Sequence, residues 1–163
     1  MTPSASALSH SEVSRDTIQK FLIATRPEAL RIFDINLRQQ FYTAEIIDQS
    51  MKACNILKIN DEEWEIVRPM FGIEGTPETA EGIEELVKRY ELKMLILTCG
   101  TKGSYVFTAD GEKFFQPTPL VEVVDTVGAG DSFTGTFVAS IVKGLSIQEA
   151  HRKAVESSAF VCT

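Results

Sequence analysis

The sequence predicts an α/β fold, with a mainly parallel sheet flanked by helices. Strand-like apolar runs alternate with helix-like spacing for most of the length, the pattern that builds βαβ units. One run, residues 93–98 (KMLILT), is almost continuously apolar, as a strand covered on both faces requires. A hydrophobic content of 44% over 163 residues is enough for one compact α/β domain, residues 1–163, with a core of its own.

The elements follow in order. Residues 14–24 (SRDTIQKFLIA) space Ile18, Phe21 and Leu22 as a helix would. Residues 30–35 (LRIFDI) are a short apolar run after Pro27 and read as a strand. Residues 43–53 return to helical spacing, and residues 55–59 (NILKI) read as the second strand. Residues 60–71 read as a short helix closed by Gly72. Residues 76–90 open with Thr-Pro, where proline suits the first turn, and put Ile83, Leu86, Val87 and Tyr90 on one face. Beyond the apolar strand, residues 104–107 and 113–115 flank Ala109-Asp110-Gly111, a hairpin signal. Residues 132–142 read as a helix stopping at Gly144. Ser146-Ile-Gln-Glu149 is then a capping box that opens the last helix.

Charge and composition remove several functions. The net charge is −7, and no basic stripe is present to neutralise phosphates, so nucleic acid is not an expected partner. Cys54, Cys99 and Cys162 are widely spaced and odd in number, which fits a reducing compartment better than a disulfide scaffold. His10 and His151 have no neighbours at metal-ligand spacing, so neither a zinc site nor a Ser-His-Asp triad is supported. No apolar run is long enough to span a membrane, and the polar opening MTPSASALSHS lacks the features of a signal peptide. The expected location is the cytoplasm.

In open α/β sheets ligands bind beyond the carboxyl ends of the strands, so the polar clusters that follow strands carry the functional interest. In DTVGAGDSF, residues 125–133, Gly128, Ala129 and Gly130 open a helix with side chains small enough for a ligand to approach the backbone. Free first-turn amides and the helix dipole favour negative charge at such a place. Asp131, in that first turn, makes chemical sense facing a hydroxyl that must lose its proton. The same residues also suit a tight turn ending in a capping aspartate, and spacing leaves both readings open.

Asn60-Asp61-Glu62-Glu63 has the spacing of a capping box, and equally of an amide and a carboxylate set near a hydrated Mg²⁺. Thr98-Cys-Gly100-Thr-Lys-Gly103 follows a buried strand; its glycines permit either close approach of a nucleotide or a plain strand-to-strand turn. Asp34-Ile-Asn36-Leu-Arg38 alternates polar residues off a strand end, which would turn all three to one side. Arg38 there suits a phosphate or sugar substituent, or an ion pair with Asp34. The Walker and Rossmann glycine fingerprints are absent.

DTVGAGDSF (125–133), with FDINLR (33–38), KINDEE (58–63) and TCGTKG (98–103) in the same order, closely resembles the ribokinase-like, or PfkB, family of carbohydrate kinases. DINLR and SEVSRDTI look most like its fructokinase branch. The resemblance implies ATP-dependent phosphorylation of a sugar hydroxyl, with ATP and Mg²⁺ as cofactors and K⁺ as a further cation. Position by position, it implies that Asp131 is the catalytic base and that the amides of Gly128, Ala129 and Gly130 form the anion hole. Asn60 and Glu63 would organise Mg²⁺ and phosphate through water. Thr98, Gly100 and Gly103 would contact the nucleotide, Asn36 and Arg38 the substrate or its phosphate, and Asp125 a monovalent cation. Ala159 falls where the family shapes its adenine pocket.

Cys99 and Val127 depart from the family's usual aliphatic residue and threonine. The match is to the later part of a family member, so the expected fold is truncated on its N-terminal side, without most of the sugar-binding residues and the β-sheet lid. Such a fragment need not be active alone, and a non-catalytic nucleotide-binding or regulatory module is the alternative expectation. An exposed sheet edge would favour self-association.

Overall fold

A computed structural model of the chain describes residues 17–18, 20–22, 24–37, 42–75, 81–122 and 124–163. Its strands form one five-stranded sheet in the order β1-β2-β3-β4-β5: β1 (Ile32–Asp34), β2 (Ile56–Asn60), β3 (Met94–Thr98), β4 (Ser104–Thr108) and β5 (Lys113–Gln116). Strands β1, β2 and β3 run parallel, with Phe33 opposite Leu57 and Leu57 opposite Leu95. Lys93 pairs with Ala109, and Cys99 with Gly103, across a short connection, so β4 turns back on β3. The sheet is therefore mixed and mostly parallel, and the helices are α1 (Ala44–Ala53), α2 (Asp61–Met70), α3 (Glu81–Arg89), α4 (Ala129–Val142) and α5 (Ile147–Val161).

The chain divides into two compact units, Met1–Thr98 with Phe107–Lys113, and Cys99–Val106 with Phe114–Thr163. In the first, the parallel strands are buried almost end to end, and Leu57, Ile59, Leu95 and Leu97 have no exposed surface. Each such side chain contributes about 1.5–3 kcal/mol by leaving water. The strand starts are tied together by buried Asn55. Its Oδ1 accepts from the Arg31 amide (2.9 Å), its Nδ2 donates to the Ala29 carbonyl (2.8 Å), and its own carbonyl accepts from the Lys93 amide (2.8 Å). Helix α1 begins where Thr43 Oγ1 accepts from the Ile46 amide, and it buries Ile46, Ile47 and Met51 on one face.

Helix α2 shows both termini that the sequence predicts. Asn60 and Glu63 form a reciprocal capping box at its start. At its end Gly72 has φ +64°, its amide bonds the Pro69 carbonyl, and the Ile73 amide bonds the Arg68 carbonyl, which is a Schellman closure. In the second unit α4 packs on α5, and Phe133, Phe137, Ala150 and Ala154 are buried. The Ser146–Glu149 capping box is formed.

The boundaries differ from expectation in places, each for a local reason. Strand β1 is shorter than residues 30–35. Helix α4 starts at Ala129 rather than residue 132, because a left-handed Gly128 (φ +84°) turns the chain directly into it. Residues 76–80 and 14–16, expected to open helices, lie outside the described residues. Thr17, Ile18, Lys20, Phe21 and Leu22 are helical. Among the described residues no helix is long and apolar enough to cross a membrane.

Candidate functional site

In the second unit, the start of α4 is built for an exposed backbone. Gly128 takes a left-handed conformation open to glycine at little cost, and no side chain caps the helix. A Cβ at position 128 would meet only Val161 Cγ1, at 3.9 Å, so the space over the backbone is open. The Ala129 amide bonds the Thr126 carbonyl (3.2 Å), which leaves Gly130 and Asp131 as the uncapped first-turn positions. Asp131 is exposed. Below it, Ser132 Oγ shares a 2.8 Å hydrogen bond with Ser157 Oγ of α5, and Phe133 is buried against the His151 ring at 6.0 Å.

The approach to this turn is held from behind. The Val124 amide donates to the Cys162 carbonyl (2.8 Å), which fixes the segment to the end of α5. Asp125 Oδ1 accepts from the Val127 amide (2.9 Å), an Asx turn that shapes the loop before Gly128. Ala159 is buried in the last turn of α5, and its carbonyl accepts from the Cys162 amide. Val124, Val127 and Phe160 are each more than three-quarters exposed around this end of the unit. Asp125, Gly128, Ala129, Gly130, Asp131 and Ala159 thus share one region.

Gly100 and Gly103 lie in the turn between β3 and β4, a single 3₁₀ turn over Gly100–Lys102. Gly103 is required by packing alone: at φ +126°, a Cβ would sit 2.5 Å from the Gln116 carbonyl oxygen and 2.7 Å from the Phe115 ring. Gly100 (φ +52°) has nothing within 4 Å of a Cβ, and its carbonyl accepts from Thr118 Oγ1 at 2.6 Å. Thr98 ends β3, half-buried.

In the first unit, Asn60 and Glu63 lie at the end of β2 and the start of α2. Asn60 Oδ1 accepts from the Glu63 amide (2.7 Å), and Glu63 Oε2 accepts from the Asn60 amide (3.0 Å). Glu63 Oε1 also accepts from the Leu37 amide (2.9 Å), a long-range contact that a capping box does not require. Burial pushes the Glu63 carboxyl above the usual range, and the two amides partly oppose that. Each carboxylate oxygen has two lone pairs, so these bonds leave room for water-mediated binding of a hard cation. Asn60 and Glu63 therefore fit an outer-sphere Mg²⁺ role. Among the described residues no cluster of three metal-ligating side chains occurs.

The alternation expected along Asp34, Asn36 and Arg38 fails at Asn36, while Arg38 lies outside the described residues. β1 stops at Asp34, and Asn36 has a left-handed backbone (φ +41°), which breaks the period of two. Asp34 also pairs with Lys58, whose Nζ lies 2.8 Å from its Oδ2 in a nearly buried ion pair. A single lysine inside the apolar strand NILKI was the available signal, since a charge buried between parallel strands must be paired. His151 is a structural group of the second unit. It is fully buried, and its Nε2 lies 2.7 Å from Ser104 Oγ.

Comparison with known proteins matches residues 4–163 to the pfkB family carbohydrate kinase model. A fructokinase of Salmonella thompson is 30% identical over 138 residues, 80% of this chain and 58% of that protein. The aminoimidazole riboside kinase of Salmonella enterica, solved with aminoimidazole riboside and an ATP analogue, superposes with a TM-score of 0.82 at 24% identity over 99% of this chain and 55% of its own. A putative ribokinase II of E. coli, solved with ATP and Mg²⁺, gives a TM-score of 0.83 at 24% identity over 99% and 51%. The chain spans about half the length of these proteins.

Proposed function

Because the chain belongs to the pfkB family of carbohydrate kinases, we propose that it forms the nucleotide-binding and catalytic part of an ATP-dependent kinase acting on a sugar hydroxyl, of the fructokinase kind. The uncapped, open start of α4 with Asp131 in its first turn is the observation that carries the reading. In this reading, Asp131 accepts the proton of the attacking hydroxyl as the new O–P bond forms. The bond from the γ-phosphorus to the bridging oxygen breaks, and ADP departs. The uncapped first-turn amides of Gly130 and Asp131 and the dipole of α4 stabilise the charge on the transferred phosphoryl.

Asn60 and Glu63 are the residues that would hold Mg²⁺ through its water, and when bound the ion neutralises phosphate charge. Asp125 would support a monovalent cation such as K⁺ behind the loop. Thr98, Gly100, Gly103 and Ala159 are assigned to the nucleotide, and the exposed apolar side chains of Val124, Val127 and Phe160 suit the flat face of a base. Asn36 and Arg38 are assigned to the substrate side. A cytoplasmic setting agrees with Cys54, Cys99 and Cys162 forming no disulfide. The proposal extends to self-association through β1 or β5, which end the strand order.

The test is transfer of phosphate from ATP to fructose and related sugars, by the wild-type chain and Asp131→Asn. Loss of the base should lower turnover roughly 10²- to 10⁴-fold while leaving nucleotide affinity nearly unchanged. Equal turnover in both proteins would reject Asp131 as the base. Nucleotide binding without transfer in either would leave a nucleotide-binding module.

A further inference from the structure

Glu63 does more than cap a helix. After Asp34 the chain stays in the ladder for one more residue, the Ile35 amide bonding the Lys58 carbonyl (3.1 Å). It then turns away through left-handed Asn36 (φ +41°). The next amide, that of Leu37, lies outside any strand or helix and is caught by Glu63 Oε1 at 2.9 Å. The other oxygen, Oε2, holds the Asn60 amide at 3.0 Å. One carboxylate with little exposed surface therefore bridges the segment leaving β1 and the junction of β2 with α2, positions 26 residues apart.

We propose that Glu63 is a positioning residue that clasps the Asn36–Leu37 segment to the N-terminus of α2, so that these backbone positions move as one body with the Asn60 cap. This rests on the functional reading above only in assigning Asn36 to the substrate side. A carboxylate suits the task because it accepts from two amides at once; a carboxamide offers one oxygen and turns an NH₂ toward the second amide. The Lys58–Asp34 pair beside it holds the last ladder residues of β1 and β2, so the clasp acts on the segment that follows rather than on the strands.

The experiment is residue-resolved amide exchange by NMR on the full chain, for wild type, Glu63→Gln and Asn60→Ala, each with and without Mg·ATP. In wild type the Leu37 amide should be protected although it is in no regular element, and its proton should resonate downfield as a charge-assisted donor. Glu63→Gln should speed Leu37 exchange about ten- to a hundredfold and remove the downfield shift, the loss expected for a hydrogen bond to a charged group. Amides of Ile56–Asn60 in β2, other than that of Asn60, should stay slow. Asn60→Ala removes the cap but keeps the carboxylate, so Leu37 should remain protected. An unprotected wild-type Leu37, which needs no variant, overturns the proposal; so does an equal effect of Asn60→Ala. Failure of Mg·ATP to shift any resonance with the Leu37 pattern intact would count against the kinase reading and leave the clasp standing.

Discussion

Lys58→Met removes the cation of the most enclosed ion pair among the described residues. The Lys58 and Asp34 side chains are only 8% and 14% exposed, and their charged atoms lie 2.8 Å apart. Methionine keeps most of the lysine stem and fits the apolar surroundings in β2, so packing changes little. What remains is the Asp34 carboxylate without the Lys58 ammonium, and removing one ion of a buried pair costs about 3–5 kcal/mol. A surface pair would cost at most about 1 kcal/mol. The two accounts are well separated. For a protein of this length the larger loss lowers Tm by on the order of 10 °C. Urea unfolding should show a lower midpoint with an unchanged slope, because the surface exposed on unfolding is the same. Asp34→Asn/Lys58→Met should recover part of the loss, since no net charge then stays buried. A loss below about 1 kcal/mol for the single variant would show that the pair is solvated and that the reasoning from its burial is wrong.

Two further predictions address the second unit. Gly103→Ala forces a Cβ to within 2.5 Å of the Gln116 carbonyl at a backbone angle that L side chains rarely adopt. Chemical denaturation should show a loss of more than about 2 kcal/mol, with or without nucleotide, from the combined strain and overlap. His151 is fully buried, and desolvation pulls its pKa down to about 4 from 6.5. The unfolded chain therefore binds the proton first. The stability His151 allows is complete above pH 6.5 and is lost as pH falls toward 4, by about 3 kcal/mol in total. His151→Leu should flatten that part of the stability profile relative to wild type; parallel profiles would place the titration elsewhere.

Much of the fold was legible because its signals are local. Asn60 and Ser146 cap helices through contacts three residues away, and Gly72 closes one, so spacing alone found them. The apolar run at Met94–Thr98 declared a strand covered on both sides. The order of the four polar segments was also readable, and the family match over residues 4–163 agrees with it. What spacing could not reach was long-range pairing. Glu63 reads as a capping glutamate, and nothing nearby in sequence points to the Leu37 amide. Asp34 and Arg38 look like neighbours by alternation, but nothing nearby in sequence points to the pairing of Asp34 with Lys58 from the next strand, 24 residues away. Asn36 broke the strand by one dihedral angle that period-two reasoning does not contain. Gly103 reads as a ligand-facing glycine, and spacing does not show that Phe115 and Gln116 also leave no room for a Cβ there.

The central claim is that the open start of α4 binds the phosphates of a nucleotide. Titration of Mg·ATP into the chain, followed by amide resonances, tests it most directly. Saturable shifts concentrated at Gly128–Asp131 are expected, abolished by Gly128→Pro and retained in Asp131→Asn. Binding that leaves those amides unmoved, or no binding at millimolar Mg·ATP, would contradict it.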